Sequence, residues 1–350
     1  MTARRLVLVG FGPVGRAFAR LVDQRADGAA AGLQPLDIVA IATQRGTWRK
    51  AAAGAGTRPS DVADAIEAGT PISRIPGVGV GDDGAAAIAT VDADMLIDAS
   101  PTDLVSGEPG TTHLRMALEL GWDVVTASKG ALVVHGPELI EAARQRGVGL
   151  LYGAAAGAAL PTLDVARWGL TGSRVERIDG ILNGTSNAIL SAMRRESVAY
   201  DEALARTQAA GIAERDPRLD VSGRDTAAKL VLIAGVVWGV PTVLADAEVT
   251  GIEAVTRAEV SDAATRGGAI RLVGSAWLED GVPRVQVEPV ELPADHALAH
   301  VDGAEKAITF TTDTLGRITV AGGASSPRAA AAAILRDVLN LEGASRHRQA

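Results

Sequence analysis

Gly10, Gly12 and Gly15 form a G-x-G-x-x-G turn within LVLVGFGPVGRAFARLV, between an apolar strand pattern (Leu6 to Val9) and a helical one through Val14, Phe18, Leu21 and Val22. Such a turn suits a dinucleotide. The first glycine permits the tight bend, the second lets backbone approach a pyrophosphate, and the third brings helix and strand close, with the helix N-terminus facing the anion. A second set of reactive types lies far downstream. GIAERDPRLDVSGRDTAAKLVLIAG, from Gly211 to Gly235, gathers Glu214, Asp216, Asp220, Asp225 and Lys229 into one loop and the first turns of a helix. Asp225 and Lys229 are four residues apart and share one helix face. Lys129, in TASKGAL, adds another amine. Carboxylates and amines of this kind can move protons and hold the charged groups of a small molecule. Taken alone, the same residues also suit a surface helix salt bridge and solvated loop acids that cap the next helix.

The elements that must position these residues follow from hydrophobic periodicity. After the first helix comes a polar, Ala/Gly-rich loop from Gln24 to Pro35. Further strands are expected at Leu36 to Ala42, Met95 to Asp98, Asp123 to Thr126 and Gly149 to Tyr152, with helices at Thr112 to Leu120 and Pro137 to Arg146. This alternation is that of an α/β fold, a Rossmann-type doubly wound parallel sheet. The turn from Ala99 to Thr102, Ser100 included, falls at the carboxyl edge of the sheet, where ligands bind. From about Gly153 the texture changes to an α+β pattern. Helices are expected at Thr162 to Trp168, Ser186 to Arg195, Tyr200 to Ala210 and Asp225 to Gly239, mixed with the alternating strands RVERIDGIL, SAWL, PRVQVEPVEL, AITFTTD and RITVAGG. In GILNGTSNAIL, Thr185 and Ser186 are cap candidates. A last helix, 326–341, returns to the first domain, and a polar tail from Glu342 frays. The domains are therefore 1–152 with that helix, and 153–325.

An NAD-specific fold ends its second strand with an acidic residue for the ribose diol; here the position reads Ala42, Thr43, Gln44, Arg45. Arg45, with Arg49 and Lys50 behind it, could meet a 2′-phosphate, and Thr43 could hydrogen-bond it, which favours NADP while leaving NAD open. A solvated basic turn is the alternative for these cations.

Composition removes several function classes. The 350 residues are 47% hydrophobic and 22% charged, enough for two cored domains, and the net charge of −8 argues against a nucleic-acid or anionic-lipid partner. With no cysteine there is no disulfide, thiolate catalysis or Cys-ligated zinc, and a cytoplasmic location is expected. The five histidines show no H-E-x-x-H spacing. The apolar stretch from Leu230 to Ala245 is broken by Gly235, Gly239 and Pro241, so it is read as a buried helix ending near Gly239 rather than a membrane span.

With N-G-T-S-N, E-x-D-P-x-x-D-x-x-G-x-D-x-x-x-K and the GGASSPRAAAA segment, nearly the whole chain resembles homoserine dehydrogenase. The resemblance implies interconversion of L-homoserine and L-aspartate 4-semialdehyde with NAD(P), on the way to threonine and methionine, by a homodimer built through the second domain's sheet. That second domain would also be the catalytic and substrate-binding one. Matched residue by residue, it makes Lys129 and Lys229 substrate-facing cations, puts Asp225 beside the reacting hydroxyl and Glu214 and Asp220 near the ammonium group, and adds Thr185 and Ile212 to the substrate pocket. Cofactor contacts fall on Gly10, Phe11, Gly12, Pro13, Val14, Gly15, Thr43, Arg45, Ser100 and Lys129.

Two ammonium groups facing one small pocket depress each other's pKa, so one can act as a base near neutral pH. Lys229 is favoured for that role, with Lys129 as electrostatic helper, and their amines are expected to converge on the nicotinamide ring. The Tyr152 to Pro161 loop resembles the family's site for sodium or potassium, with main-chain carbonyls at Gly153, Ala156, Ala158 and Leu160. Three positions depart from the family pattern: Gly153 where Glu is usual, Ile212 where an aromatic is usual and Ala188, often Tyr. The last two enlarge the pocket, which leaves open a related NADP-dependent oxidoreductase acting on a different, for instance bulkier, amino alcohol or aldehyde; the departures at Gly153 and Ile212 leave open a non-catalytic NADP(H) sensor. The sequence stops where the catalytic portion of relatives stops, so threonine feedback through a further domain is not expected.

Overall fold

The computed structural model describes residues 2–27, 34–50, 56–79, 81–323 and 325–347. The chain divides into two compact units, Met1–Ala155 with Ser326–Ala350, and Ala156–Ser325.

In the first unit the chain runs β1 (Arg4–Val9), α1 (Pro13–Asp27), β2 (Leu36–Thr43), β3 (Gly46–Arg49), α2 (Pro59–Glu67), β4 (Val78–Gly79), α3 (Gly84–Thr90), β5 (Met95–Asp98), α4 (Gly110–Glu119), β6 (Asp123–Thr126), α5 (Gly130–Arg146) and β7 (Leu150–Leu151). The sheet order is β4-β3-β2-β1-β5-β6-β7. β2, β1, β5, β6 and β7 are mutually parallel, as expected of a Rossmann-type sheet. β3 and β4 were not foreseen: they add an antiparallel edge beyond β2, so the sheet is mixed. α1 continues through Asp27, past the point where a loop was expected, because Gln24, Arg25 and Ala26 are good helix formers. Residues 28–33 of that expected loop lie outside the described residues.

Leu6, Leu8, Phe18, Ile41, Trp48 and Ile97 anchor a core that also takes in Ala331, Ile334 and Val338 of the chain's last helix. That helix spans Pro327–His347 and packs along α1. Leu341 and Glu342 are still buried, which is why the expected tail stays helical; 348–350 lie outside the described residues.

The chain leaves β7 through α6 (Gly153–Gly157) and α7 (Thr162–Asp164), which runs into a π-helical turn at Val165–Gly169. The second unit continues with β8 (Val175–Ile181), α8 (Gly184–Glu196), α9 (Tyr200–Ala209), α10 (Arg218–Val221), α11 (Arg224–Trp238), β9 (Glu248–Val249), α12 (Arg257–Thr265), β10 (Ala269–Glu279), β11 (Val282–Leu292), β12 (Lys306–Thr312) and β13 (Gly316–Gly322). The last helix of the chain is α13 (Pro327–His347).

The second sheet has the order β13-β12-β8-β10-β11-β9 and is antiparallel apart from the β11–β9 pair. β10 and β11 meet at Asp280–Gly281, both with positive φ, the D-G turn that matches strand twist. α11 lies on one sheet face: a Cβ at Gly274 would stand 2.8 Å from Thr226 Cγ2 and 3.2 Å from Leu230 Cδ2. α11 ends at Gly239, left-handed at φ 68, where the apolar stretch was expected to stop.

Candidate active site

In the first unit each glycine of the turn has its own spatial reason. Gly10 has φ 89, and a Cβ there would overlap the Ala99 carbonyl; at Gly15 it would overlap the Gly10 carbonyl, so helix and strand lie in contact. Beside Gly12 there is open space, the approach a pyrophosphate needs. Pro13 and Val14 open α1 directly after it, with Pro13 at a position where its missing N–H costs nothing.

A cleft of about 720 Å³ spreads from this turn, with Gly10, Phe11, Gly12, Thr43, Arg45 and Ser100 in its lining. Ser100 is 8% exposed and, among the described residues, its hydroxyl has no hydrogen-bond partner. An orphaned buried hydroxyl in a cleft fits a ligand that would complete it.

Thr43 is less free than the sequence suggests, since its hydroxyl donates to the Gly46 carbonyl (3.0 Å) and accepts from the Arg45 amide (3.1 Å). Arg49 and Lys50 are withdrawn too: Arg49 bonds Asp82 (2.9 Å) and Lys50 bonds Asp37 (2.7 Å). Arg45 alone of the three lines the cleft, exposed. The strand pairing of β3, unseen in the sequence, is what turns Arg49 aside.

Lys129 caps α5, half-buried, and its backbone N–H donates to Thr102 Oγ1 at 3.2 Å. Beneath it lies a polar knot that sequence reasoning missed. Asp98 is fully buried, accepting from Thr126 Oγ1 at 2.9 Å with His113 Nδ1 at 3.3 Å, and it ties the ends of β5 and β6 together.

In the second unit the acids and amine meet at the end of β8. Asn183 caps α8, its Oδ1 accepting from the Ser186 amide at 2.9 Å, so the cap is neither Thr185 nor Ser186. A hydroxyl one turn in cannot reach the same donors. The Asn183 Nδ2 donates to Asp220 Oδ1 (2.6 Å) and Asp225 Oδ2 (2.8 Å), while Lys229 Nζ donates to Asp225 Oδ2 (2.6 Å) and the Leu182 carbonyl (2.9 Å). Asp220, Asp225 and Lys229 are thus one network. Thr185 sits half-buried on the first turn of α8. Glu214 and Ile212 are exposed, and among the described residues no side-chain hydrogen bond ties Glu214 to the network. Asp216 pairs with Arg218 at 2.6 Å on the surface, held by that guanidinium down at about 2.

A second lysine belongs to this network's surroundings. Lys306, at the head of β12, is 4% exposed. Burial pushes its amine down to about 8, and the charge of Lys229 pushes the same way against the pull of Asp225. The signal was present in the sequence: Lys306, Ile308 and Phe310 alternate, so the lysine shares their buried face.

In the segment expected to hold a monovalent cation, the Gly153 amide donates to Asp337 Oδ2 at 2.7 Å, Ala158 is left-handed at φ 50, and the Leu160 carbonyl accepts from Thr162 N at 2.8 Å. Gly153 and Ala156 are in α6. Side-chain metal ligands are not gathered anywhere among the described residues, and no described helix is long and apolar enough to cross a membrane.

Residues 161–339 match the family model described as homoserine dehydrogenase, and residues 10–153 match the one described as homoserine dehydrogenase, NAD binding domain. The chain is 33% identical over 339 residues to a homoserine dehydrogenase of Methanocaldococcus jannaschii, across 96% of this chain and 98% of that one. It is 32% identical over 359 residues to an NAD(+)-dependent homoserine dehydrogenase of Pseudomonas canavaninivorans, across 100% and 99% of the two. Among solved structures, one from Archaeoglobus fulgidus assigned to the homoserine dehydrogenases superimposes with a TM-score of 0.85 at 31% identity, covering 97% of this chain and 99% of that one.

Proposed function

The chain belongs to the homoserine dehydrogenase family, and from that premise we propose how its residues divide the work of interconverting L-homoserine and L-aspartate 4-semialdehyde with a nicotinamide cofactor. The observation that carries the assignment is the Asn183–Asp220–Asp225–Lys229 network, half-buried at the end of β8. When bound, the cofactor accepts or returns the hydride. Lys229 handles the hydroxyl proton, held in place by Asp225 and Leu182, and Asp225 stands beside the reacting hydroxyl. Asp220 faces the substrate's ammonium group, with Glu214, Thr185 and Ile212 completing the pocket. Lys129 is the electrostatic helper beside the cofactor.

For the cofactor, Gly12 admits the pyrophosphate, Ser100 supplies a spare hydroxyl, and Arg45 meets a 2′-phosphate that no carboxylate at the end of β2 competes for. This favours NADP over NAD. A sodium or potassium ion on the carbonyls of Gly153, Ala156, Ala158 and Leu160 fits less well, because Leu160 already serves the Thr162 amide and no carboxylate stands at 153. No step is assigned to it. A homodimer, a cytoplasmic setting and service to threonine and methionine synthesis complete the proposal. A sensor without catalysis is not favoured by relatives that match along the whole chain.

One assay tests the core of this: purified protein with homoserine and NADP, read by absorbance of the reduced cofactor, repeated with NAD and with or without potassium. Homoserine-dependent reduction is expected, faster with NADP; its absence with both cofactors would sink the assignment.

A further inference from the structure

Lys306 has no role in the chemistry above, yet the fold brings it to the same place. The β12–β8 register pairs Ala307 with Ile181, so the next step along sets Lys306 across from Leu182, the residue whose carbonyl accepts from Lys229. Alternation puts Lys306 on the sheet face of Gly180 and Gly274, and that is the face α11 covers through Thr226 and Leu230. α11 also carries Asp225 and Lys229, the charged groups of that helix acting on Lys306. The lysine is almost fully buried, and among the described residues no hydrogen bond or ion pair ends on its amine.

An unpaired amine is expensive to bury. A core position next to a reactive network would ordinarily take an apolar residue. Of the neighbouring charges, Lys229 is paired with Asp225, while Asp220 has only the neutral Asn183 amide and no cation of its own among the described residues. An amino-acid substrate brings one more charge of each sign. Its ammonium group has Asp220 to face, whereas its carboxylate needs a cation that no acid has claimed.

We infer that Lys306 holds the carboxylate of the amino-acid substrate in the site built on Asp225 and Lys229. The inference rests on the proposed function. The cost of burying the lysine without an acid is then relieved when a carboxylate pairs with it. It also makes Lys306 a specificity residue: amines and amino alcohols that lack the acid lose this contact and nothing else.

The test compares two ligands that cannot be turned over and differ only in the acid, L-2-aminobutyrate and L-2-aminobutanamide, titrated calorimetrically into the full chain with NADP present. The wild type is expected to bind the acid at least about tenfold more tightly than the amide, the ordinary value of one charge-assisted contact. Lys306→Met should bring that ratio to about one by weakening the acid alone, and Lys306→Arg should keep most of it. An unchanged ratio in Lys306→Met, equal weakening of both ligands, or no preference in the wild type would each overturn the inference. Homoserine turnover by the wild type is measured separately. If turnover is absent while the acid preference depends on Lys306, the proposed function fails and the carboxylate site stands.

Discussion

Lys229 Nζ lies 2.6 Å from Asp225 Oδ2, one helical turn back along α11, with only 12% and 13% of the two side chains exposed. A pair at this spacing on an open helix surface contributes a few tenths of a kcal/mol. Here the pair is part of a larger, half-buried network, so losing one partner leaves the other's charge uncompensated though still hydrogen-bonded. Lys229→Met should lower kcat by roughly 10² to 10⁴, the range typical of a removed proton-transfer group, and should cost about 1–3 kcal/mol of stability by leaving Asp225 underpaired. The double variant Asp225→Asn with Lys229→Met should regain most of that stability and none of the turnover. Denaturant unfolding and steady-state kinetics on the same preparations separate the two effects. A single variant with near-normal kcat would remove Lys229 from the chemistry.

Arg45 is the cation left for a 2′-phosphate once Arg49 is tied to Asp82 and Lys50 to Asp37. Arg45→Ala should lower kcat/KM with NADP by roughly 10- to 100-fold and leave the value with NAD nearly unchanged, because only one of the two cofactors carries the phosphate. Arg49→Ala is the control, expected to shift neither. If the NADP-to-NAD ratio survives loss of Arg45, the selectivity lies elsewhere in the cleft.

Lys306 makes stability depend on pH with a definite sign. The unfolded lysine titrates near 10.5 and the buried one at about 8. Between those values the unfolded chain binds the extra proton, so stability rises with pH across that window, and the full penalty is present below it. Removing the charge with Lys306→Met should therefore stabilise the protein at pH 7 by up to roughly 3 kcal/mol, with the gain shrinking as pH climbs from 8 toward 10.5. Urea unfolding of both proteins at pH 7, 9 and 10.5 measures it. A variant less stable than wild type at pH 7 would mean that the amine is paired in the folded chain.

The parts of the fold legible in the sequence are those with a local period. β1, β2, β5 and β6 are short apolar runs bounded by turns, and β11 alternates through its first half, whereas β10 and β12 are buried along most of their length. β3 and β4 have four and two residues and exist through their pairing with β2 and with each other, a non-local cause that no window of sequence contains. The same division runs through the site. Asp225 and Lys229 are neighbours on one helix and could be paired by counting. Asn183 joins Asp220 and Asp225 across 37 and 42 residues, and Asp98 meets His113 between different elements. Lys306 was recoverable only by starting the strand one residue earlier than its apolar pattern begins, where a charged residue argues for the surface.

Gly153 offers a test of how a departure from the family pattern is compensated. Its amide donates to Asp337 Oδ2 at 2.7 Å, and a Cβ there would stand 3.0 and 3.1 Å from the two oxygens of that carboxylate, which is 2% exposed. The space beside residue 153 is thus filled by the acid of α13. Glu, usual at this position in the family, would have to enter a space already occupied by that carboxylate and by Arg336 Nη2, 3.3 Å from the same point, so close packing opposes it. Gly153→Glu should cost about 1–3 kcal/mol, and Gly153→Ala less. Combining Gly153→Glu with Asp337→Ala should be less harmful than the two separate losses added together, because removing the Asp337 carboxylate removes what the larger residue would meet. Thermal unfolding of the four proteins gives the coupling. Simple additivity would show that Asp337 is not what excludes a larger residue at 153.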